Sequence, residues 1–302
     1  MTAESNNETN IKAQNKWTHL VKVIGTVVVA FSMILIGLPF SKLLGVEINE
    51  MAAARFSPSI PKVTLFLTLT GLYFLVIYLS QRYLHKTSFR TLGFQSPMIR
   101  QALVAFFIGV TINLIPFIAT ILTADNMVYG STIPEGTSAL RAVAAYAYFF
   151  IVFLTVNSIG EELVFRCYPI EHIIDKPRML PMVIVLVGII FALLHFIVRE
   201  PSLSGFFILS LTSIFYSLIY LNWRSIWVLV GIHNGMNFSN LTFSENWEMG
   251  GLFTWNGDAM AGLSVYLNIY HYAVPIIAIV FLYWFFRRSR GIPIAWGFRQ
   301  WS

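Results

Sequence analysis

Cysteine is almost absent: one thiol, Cys167, occurs in 302 residues. No disulfide can form within the chain, and no thiolate cluster can hold a metal. Charge is scarce as well, at 11% of residues against 57% hydrophobic, where a soluble domain carries about 25%. With a mean hydropathy of +0.70, most of this chain does not face water. The apolar stretches are continuous and lack the ~10-residue alternation of a membrane β-barrel, which leaves α-helices as the spanning structure. No internal repeat or separate soluble domain is visible. No basic run exceeds Arg287-Arg288-Ser289-Arg290, so the net charge of +6 points to loops on one membrane face and not to nucleic acid.

What the chain does hold is apolar helix. Spans are expected at 22–44, 62–81, 100–123, 140–172, 180–198, 203–221, 225–243 and 264–286. They make an all-α, polytopic membrane bundle of about eight helices across 21–290. A polar, mobile tail (1–20) precedes it and a short tail (291–302) follows. The first run exceeds the 7–15-residue core of a signal peptide, and no small-residue cleavage site follows it. The fourth is too long for a crossing of ~20 residues. It either tilts or consists of two pieces meeting near Asn157-Ser158-Ile159-Gly160.

With the N-terminus inside, 15 of the 20 basic residues fall in inner segments, and only Lys42, Arg55, Lys62, Arg141 and Arg199 lie outside. The positive-inside rule therefore predicts a multi-pass cell-membrane protein with both termini cytoplasmic. Trp17, Trp223, Trp227, Trp284, Trp296 and Trp301 sit near the inner ends as interfacial anchors. Glu171 and His172, after Pro169, are expected at the same interface. Gly250, Gly251 and Gly257 mark the last outer loop as a connector.

Against this background, Glu161-Glu162-Leu163-Val164-Phe165-Arg166 stands out. Each charge at the bilayer centre costs roughly 2.5–3.5 kcal/mol, and such groups are functional candidates by default. Glu162 and Arg166 share a helix face in the favoured acid-first order, which assigns them to an ion pair. Neighbouring residues diverge by about 100°, so Glu161 is left as the carboxylate for a general base or ligand. Two further apolar segments supply His195, and His233 with Asn237. The latter two, four residues apart, can reach a common atom. They can bind a metal, or bind water and a developing oxyanion. The His-Glu-x-x-His helix of common zinc proteases is absent.

Glu-Glu-x-x-x-Arg (161–166), Phe-x-x-x-His (191–195) and His-x-x-x-Asn (233–237), in that order, resemble the CAAX protease and bacteriocin-processing family, also called the Abi family. All three motifs are present without substitution, and the resemblance covers about 140–243. It implies an eight-helix intramembrane endopeptidase acting on a membrane-associated or lipidated peptide or protein. Carried over by position, Glu161 is the base and His195 holds or activates water. His233 and Asn237 stabilise the oxyanion or complete a metal site, and Glu162 and Arg166 support them. Metal dependence is left open: a divalent metal such as zinc, held by Glu161, His195 and His233, is the alternative to activation of water by the side chains alone.

Two other classes compete. A transporter would use the same buried charges as an ion path, but the internal symmetry common in transporters is missing. A non-catalytic immunity or scaffold protein would keep the fold without needing the full polar set. Cys167 as a nucleophile is disfavoured, because it lies about 240° around the helix from Glu161. Depth poses one difficulty: His195 lies ~22 Å into its helix and His233 only ~13 Å beyond Arg224 at 1.5 Å per residue.

Overall fold

The computed structural model describes residues 3–46, 59–94, 99–123, 130–131, 133, 135–176, 178–197, 200–243, 253–254 and 257–288. The helices are α1 (Ala3–Leu43), α2 (Ile60–Leu79), α3 (Ile99–Thr123), α4 (Ala139–Tyr148), α5 (Asn157–Glu162), α6 (Tyr168–Ile173), α7 (Leu180–His195), α8 (Leu203–Trp223), α9 (Ile226–Thr242) and α10 (Gly257–Arg288). A π-helical turn, Ser80–His85, extends α2. Two more, Phe149–Val156 and Leu163–Cys167, join α4, α5 and α6 into one rod. Among the described residues β-structure is confined to a two-residue antiparallel pair, Gly130–Ser131 with Phe253–Thr254. The protein is an all-α membrane bundle.

Among the described residues, five helices are long and apolar enough to cross a membrane: Trp17–Leu43, Ile60–His85, Ile99–Thr123, Ala139–Ile173 and Leu203–Trp223. Their outward faces carry the expected lipid-facing side chains, with Phe107 and Ile151 well exposed. Helix α7 has 16 residues, or about 24 Å, too short to cross a ~30 Å hydrocarbon layer upright.

Two expectations are revised. Residues 3–20, read as a mobile tail, are helical and continuous with the first span. The overlong fourth span is one unbroken rod of 35 residues, not two pieces. Its excess length is taken up partly by π turns, where each bond reaches five residues back. Thr155 follows the same spacing with its side chain, donating to the Phe150 carbonyl at 2.9 Å. Of the expected anchors, Trp17 and Trp223 are exposed, whereas Trp227 packs edge-on against Phe94. The C-terminal tail and most of the 244–256 loop lie outside the described residues.

Serine begins many of these helices. Ser59, Ser138, Ser202 and Ser225 each accept the backbone N–H three residues on, satisfying a donor that has no partner inside the helix. Arg224, at φ +49°, closes α8 in a left-handed turn just before the Ser225 cap. The chain thus reverses from α8 into α9 within two residues.

Small residues decide where α9 lies. A Cβ on Gly231 would meet the Ala102 carbonyl oxygen at 2.4 Å, one on Gly235 the Phe106 oxygen at 2.1 Å, and one on Gly109 the Ile232 oxygen at 2.4 Å. Helices α3 and α9 therefore meet backbone to backbone, the small-residue packing that membranes favour. Buried Asn113 reinforces the contact by donating to the Met236 carbonyl at 2.9 Å. The rod from α4 to α6 is the centre of the bundle, and its second π turn touches α1, α2, α7 and α8. Gly235→Ala should lower stability by roughly 1–3 kcal/mol through overpacking, read as a fall in the unfolding midpoint in detergent. Gly25→Ala, where nothing lies within 4 Å, should leave the midpoint unchanged or raised.

Candidate active site

Helix α5 and the π turn after it carry the acids and Arg166; α7 and α9 bring in the histidines. Glu162 and Arg166 have no exposed side-chain surface (0% each) and pair at 3.1 Å. The same Glu162 oxygen, Oε1, lies 2.6 Å from His233 Nδ1. One carboxylate atom thus ties the central rod to α9. Arg166 is enclosed by rings: its guanidinium carbon lies 4.1 Å from the centroid of Phe191 and 5.4 Å from that of Tyr216. Tyr216 in turn stacks on the His233 ring at 4.9 Å.

Glu161 sits at the opposite edge of that imidazole. Its Oε2 is 4.0 Å from His233 Nε2, and its Oε1 accepts from Asn157 Nδ2 at 2.7 Å. The groups acting electrostatically on this carboxylate are His195, His233 and Arg166. Neighbouring glutamates were expected to be unable to share one small site. They do share it, because the His233 ring spans their 100° divergence with one nitrogen towards each.

His195 is the last residue of α7. Its Nδ1 lies 2.9 Å from the Phe191 carbonyl. A carbonyl only accepts, so Nδ1 carries the proton and Nε2 the lone pair. His195 acts electrostatically on Glu161, so the end of α7 comes near α5 although His195 and His233 stand at different distances along their own helices. Asn237 is half-buried one turn beyond His233 on the same face. No hydrogen bond from its side chain is found among the described residues. The groups acting electrostatically on the fully buried Cys167 are Glu162, Glu171, Tyr220 and Arg166.

Three participants had no role assigned from the sequence, although Phe191 was already named in a motif. Asn157 was noted only as part of the segment where two pieces would meet if the fourth span were divided, yet its spacing of four from Glu161 is the signal already used for Glu162 and Arg166. Phe191 has two roles, its ring covering Arg166 and its carbonyl orienting His195. Tyr216, on α8, has no motif to reveal it.

A metal needs donors gathered more closely than these. Among the described residues the histidines, cysteines and acids whose ligand atoms all fall within 4.8 Å of one another are His19, His85 and His172. Glu161, His195 and His233 do not form such a cluster.

Comparison with known proteins adds one finding. Residues 143–239 match the family model of type II CAAX prenyl endopeptidases, described as Rce1-like. The matched segment contains Asn157, Glu161, Glu162, Arg166, His195, His233 and Asn237. No curated protein and no solved structure matches the chain.

Removing the guanidinium in Arg166→Met breaks a fully buried ion pair and leaves Glu162 with His233 as its remaining partner. This should cost about 3–5 kcal/mol of stability, measured by denaturation in detergent. Adding Glu162→Gln to Arg166→Met should recover part of the loss.

Proposed function

We propose that this protein, with its Rce1-like CAAX endopeptidase segment built around Glu161, is an intramembrane endopeptidase that hydrolyses a peptide bond with an activated water. The observation that carries the reading is the arrangement about Glu161. Its carboxylate is held by Asn157 at 2.7 Å and faces His233 Nε2 across 4.0 Å. One water, hydrogen-bonded at about 2.8 Å to each side, bridges such a gap. Arg166 Nε and Nη2 and Glu162 Oε2, all buried, have no hydrogen-bond partner among the described residues. Groups of that kind take water, so the surroundings are compatible with hydration inside an apolar bundle.

Each residue then has a role. Glu161 takes a proton from the water while the water oxygen attacks the peptide carbonyl carbon. His195 accepts a hydrogen bond from the same water through the Nε2 lone pair. The carbonyl oxygen becomes an oxyanion, met by His233 Nε2–H and the Asn237 amide. A His233 ring that donates from Nδ1 to Glu162 and from Nε2 to the oxyanion carries both protons, and Glu162 is its counter-charge. Glu161 next returns its proton to the amide nitrogen, the C–N bond breaks, and a carboxylic acid and an amine leave. Glu162, Arg166, Phe191 and Tyr216 touch no reacting atom and hold those that do. Preorganised donors in a site shielded from bulk water are the largest catalytic resource available to such an arrangement.

The substrate class is a membrane-associated or lipidated peptide or protein, reached from within the bilayer. The catalytic core is 140–243, in a multi-pass cell-membrane protein with both termini cytoplasmic. The reading is tested with purified protein in detergent and two peptides, one farnesylated at a C-terminal CAAX cysteine and one the unmodified form of a candidate membrane-protein tail. Wild type should cleave at least one of them. Glu161→Gln and His195→Ala should lower turnover by roughly 10²–10⁴ while keeping the wild-type unfolding profile. Full turnover in either folded variant refutes the assignment of roles. Wild type that leaves both peptides intact favours a transporter or scaffold.

A further inference from the structure

A second histidine cluster lies away from the proposed catalytic centre. His19 on α1, His85 at the end of the π turn after α2, and His172 on α6 come from three distant parts of the chain. One ring nitrogen of each falls within 4.8 Å of one in both others. His85 and His172 stack with centroids 3.6 Å apart, and His19 meets His85 edge-on at 5.4 Å. His172 follows Glu161 by eleven residues on the central rod, which puts the two about 16 Å apart.

We propose that His19, His85 and His172 bind a divalent transition metal of the zinc type, which fastens the N-terminal helices α1 and α2 to the catalytic rod. The hydrogen bonds around the cluster carry the argument. His19 Nε2 lies 2.7 Å from the His172 carbonyl oxygen, so that nitrogen donates and the lone pair is on Nδ1. His172 Nε2 lies 3.1 Å from Gln81 Oε1, which likewise leaves the lone pair on Nδ1. His85 Nε2 lies 2.9 Å from the Tyr168 hydroxyl. A histidine that ligates a metal usually gives its other ring nitrogen to a carbonyl, amide or similar partner, which fixes tautomer and orientation. Gln81 and Tyr168 are both fully buried and serve as such partners.

The donor set also selects the metal. Calcium and magnesium require oxygen ligands, and no carboxylate belongs to the cluster. Lys22 and Lys176 act on the His85 and His172 rings, a further disadvantage for a cation held by charge alone. Three neutral imidazoles suit zinc, cobalt, nickel or copper, with a fourth position left for water. His19 and His85 lie outside the Rce1-like segment and His172 within it. The site therefore joins the part of the chain with a family match to a part without one.

The experiment uses the full chain without a polyhistidine tag, stripped with a chelator in detergent and titrated separately with Zn²⁺ and Co²⁺. Metal bound is counted by atomic emission after dialysis, and Co²⁺ is also followed by its visible absorption. Wild type should take up one tight equivalent, and its unfolding midpoint should rise with metal concentration. His85→Gln and His172→Gln should each bind at least roughly tenfold more weakly, and Gln81→Leu roughly 10–100-fold more weakly. Glu161→Gln should bind like wild type. The proposal is overturned if wild type takes up no such equivalent, or if uptake survives in the histidine variants or disappears with Glu161→Gln. Where a histidine variant fails to fold, uptake that is tight in wild type and retained in Glu161→Gln still places the metal away from the catalytic centre, and no uptake by wild type overturns the proposal. No substrate is involved, so the result stands apart from the outcome of the cleavage assay.

Discussion

Arg166 is a full positive charge with no exposed surface, in a bundle made almost wholly of apolar side chains. Desolvating one such ion costs several kcal/mol, and the rest of the polar core can be read as the compensation. Glu162 neutralises it one helical turn away. Phe191 and Tyr216 cover its faces, and cation–π contact is strongest where water is excluded. Glu162 then has a second obligation to His233, which fixes the imidazole that Glu161 faces. Since Phe191 belongs to α7, Tyr216 to α8 and His233 to α9, satisfying one guanidinium determines how three helices dock on the central rod. A buried ion pair is weak evidence of net stability. Here its effect is on specificity of packing, because any other docking would leave a charge exposed to hydrocarbon.

The docking needs a rigid support behind it, and α3 provides that support. Lipid tails are as apolar as leucine, so helices in a membrane associate through close packing and hydrogen bonds. Gly109, Gly231 and Gly235 bring α3 and α9 close enough for backbones to touch. His233 and Asn237 share one helix face, and the two α9 glycines flank His233 in sequence. A bulkier residue at either glycine would push α9 off α3 and move the imidazole relative to both glutamates. The Gly-x-His-x-Gly run therefore holds two unlike requirements in five residues, packing on one side and polar chemistry on the other.

The sequence made the helices, their order and the polar residues legible because each rests on a local rule. Hydropathy marks spans, and a spacing of four marks pairs such as Glu162 with Arg166. It was less informative where an answer depends on three-dimensional reach. The 100° argument separated Glu161 from Glu162 but ignored that an imidazole has a nitrogen at each end. The sequence left the long fourth span either tilted or in two pieces near Asn157 through Gly160, and no residue pattern gives warning of the π turns on either side of that segment. Tyr216 and the contact of His19 with His172 join residues far apart in the chain, and no spacing rule reaches them. The polar composition of residues 3–20 suggested a mobile tail, since composition cannot show a helix stabilised by continuity with an apolar span.

The short α7 brings these strands together. A helix that stops inside an apolar layer exposes its last carbonyls where no bulk water can satisfy them. Here Phe196 and Ile197 curl back so that their amides reach the Leu193 and Leu194 carbonyls, and His195 Nδ1–H takes the Phe191 carbonyl. That last bond also sets the tautomer that leaves Nε2 as an acceptor. The need to close a helix end in lipid and the need for a correctly protonated histidine are therefore met by one hydrogen bond. Phe191 lies one turn before the end, where its carbonyl can receive that proton and its ring can lie over Arg166. A spacing of four between Phe191 and His195 is thus required by helix geometry at both of these contacts, which gives the motif a physical reason independent of any family.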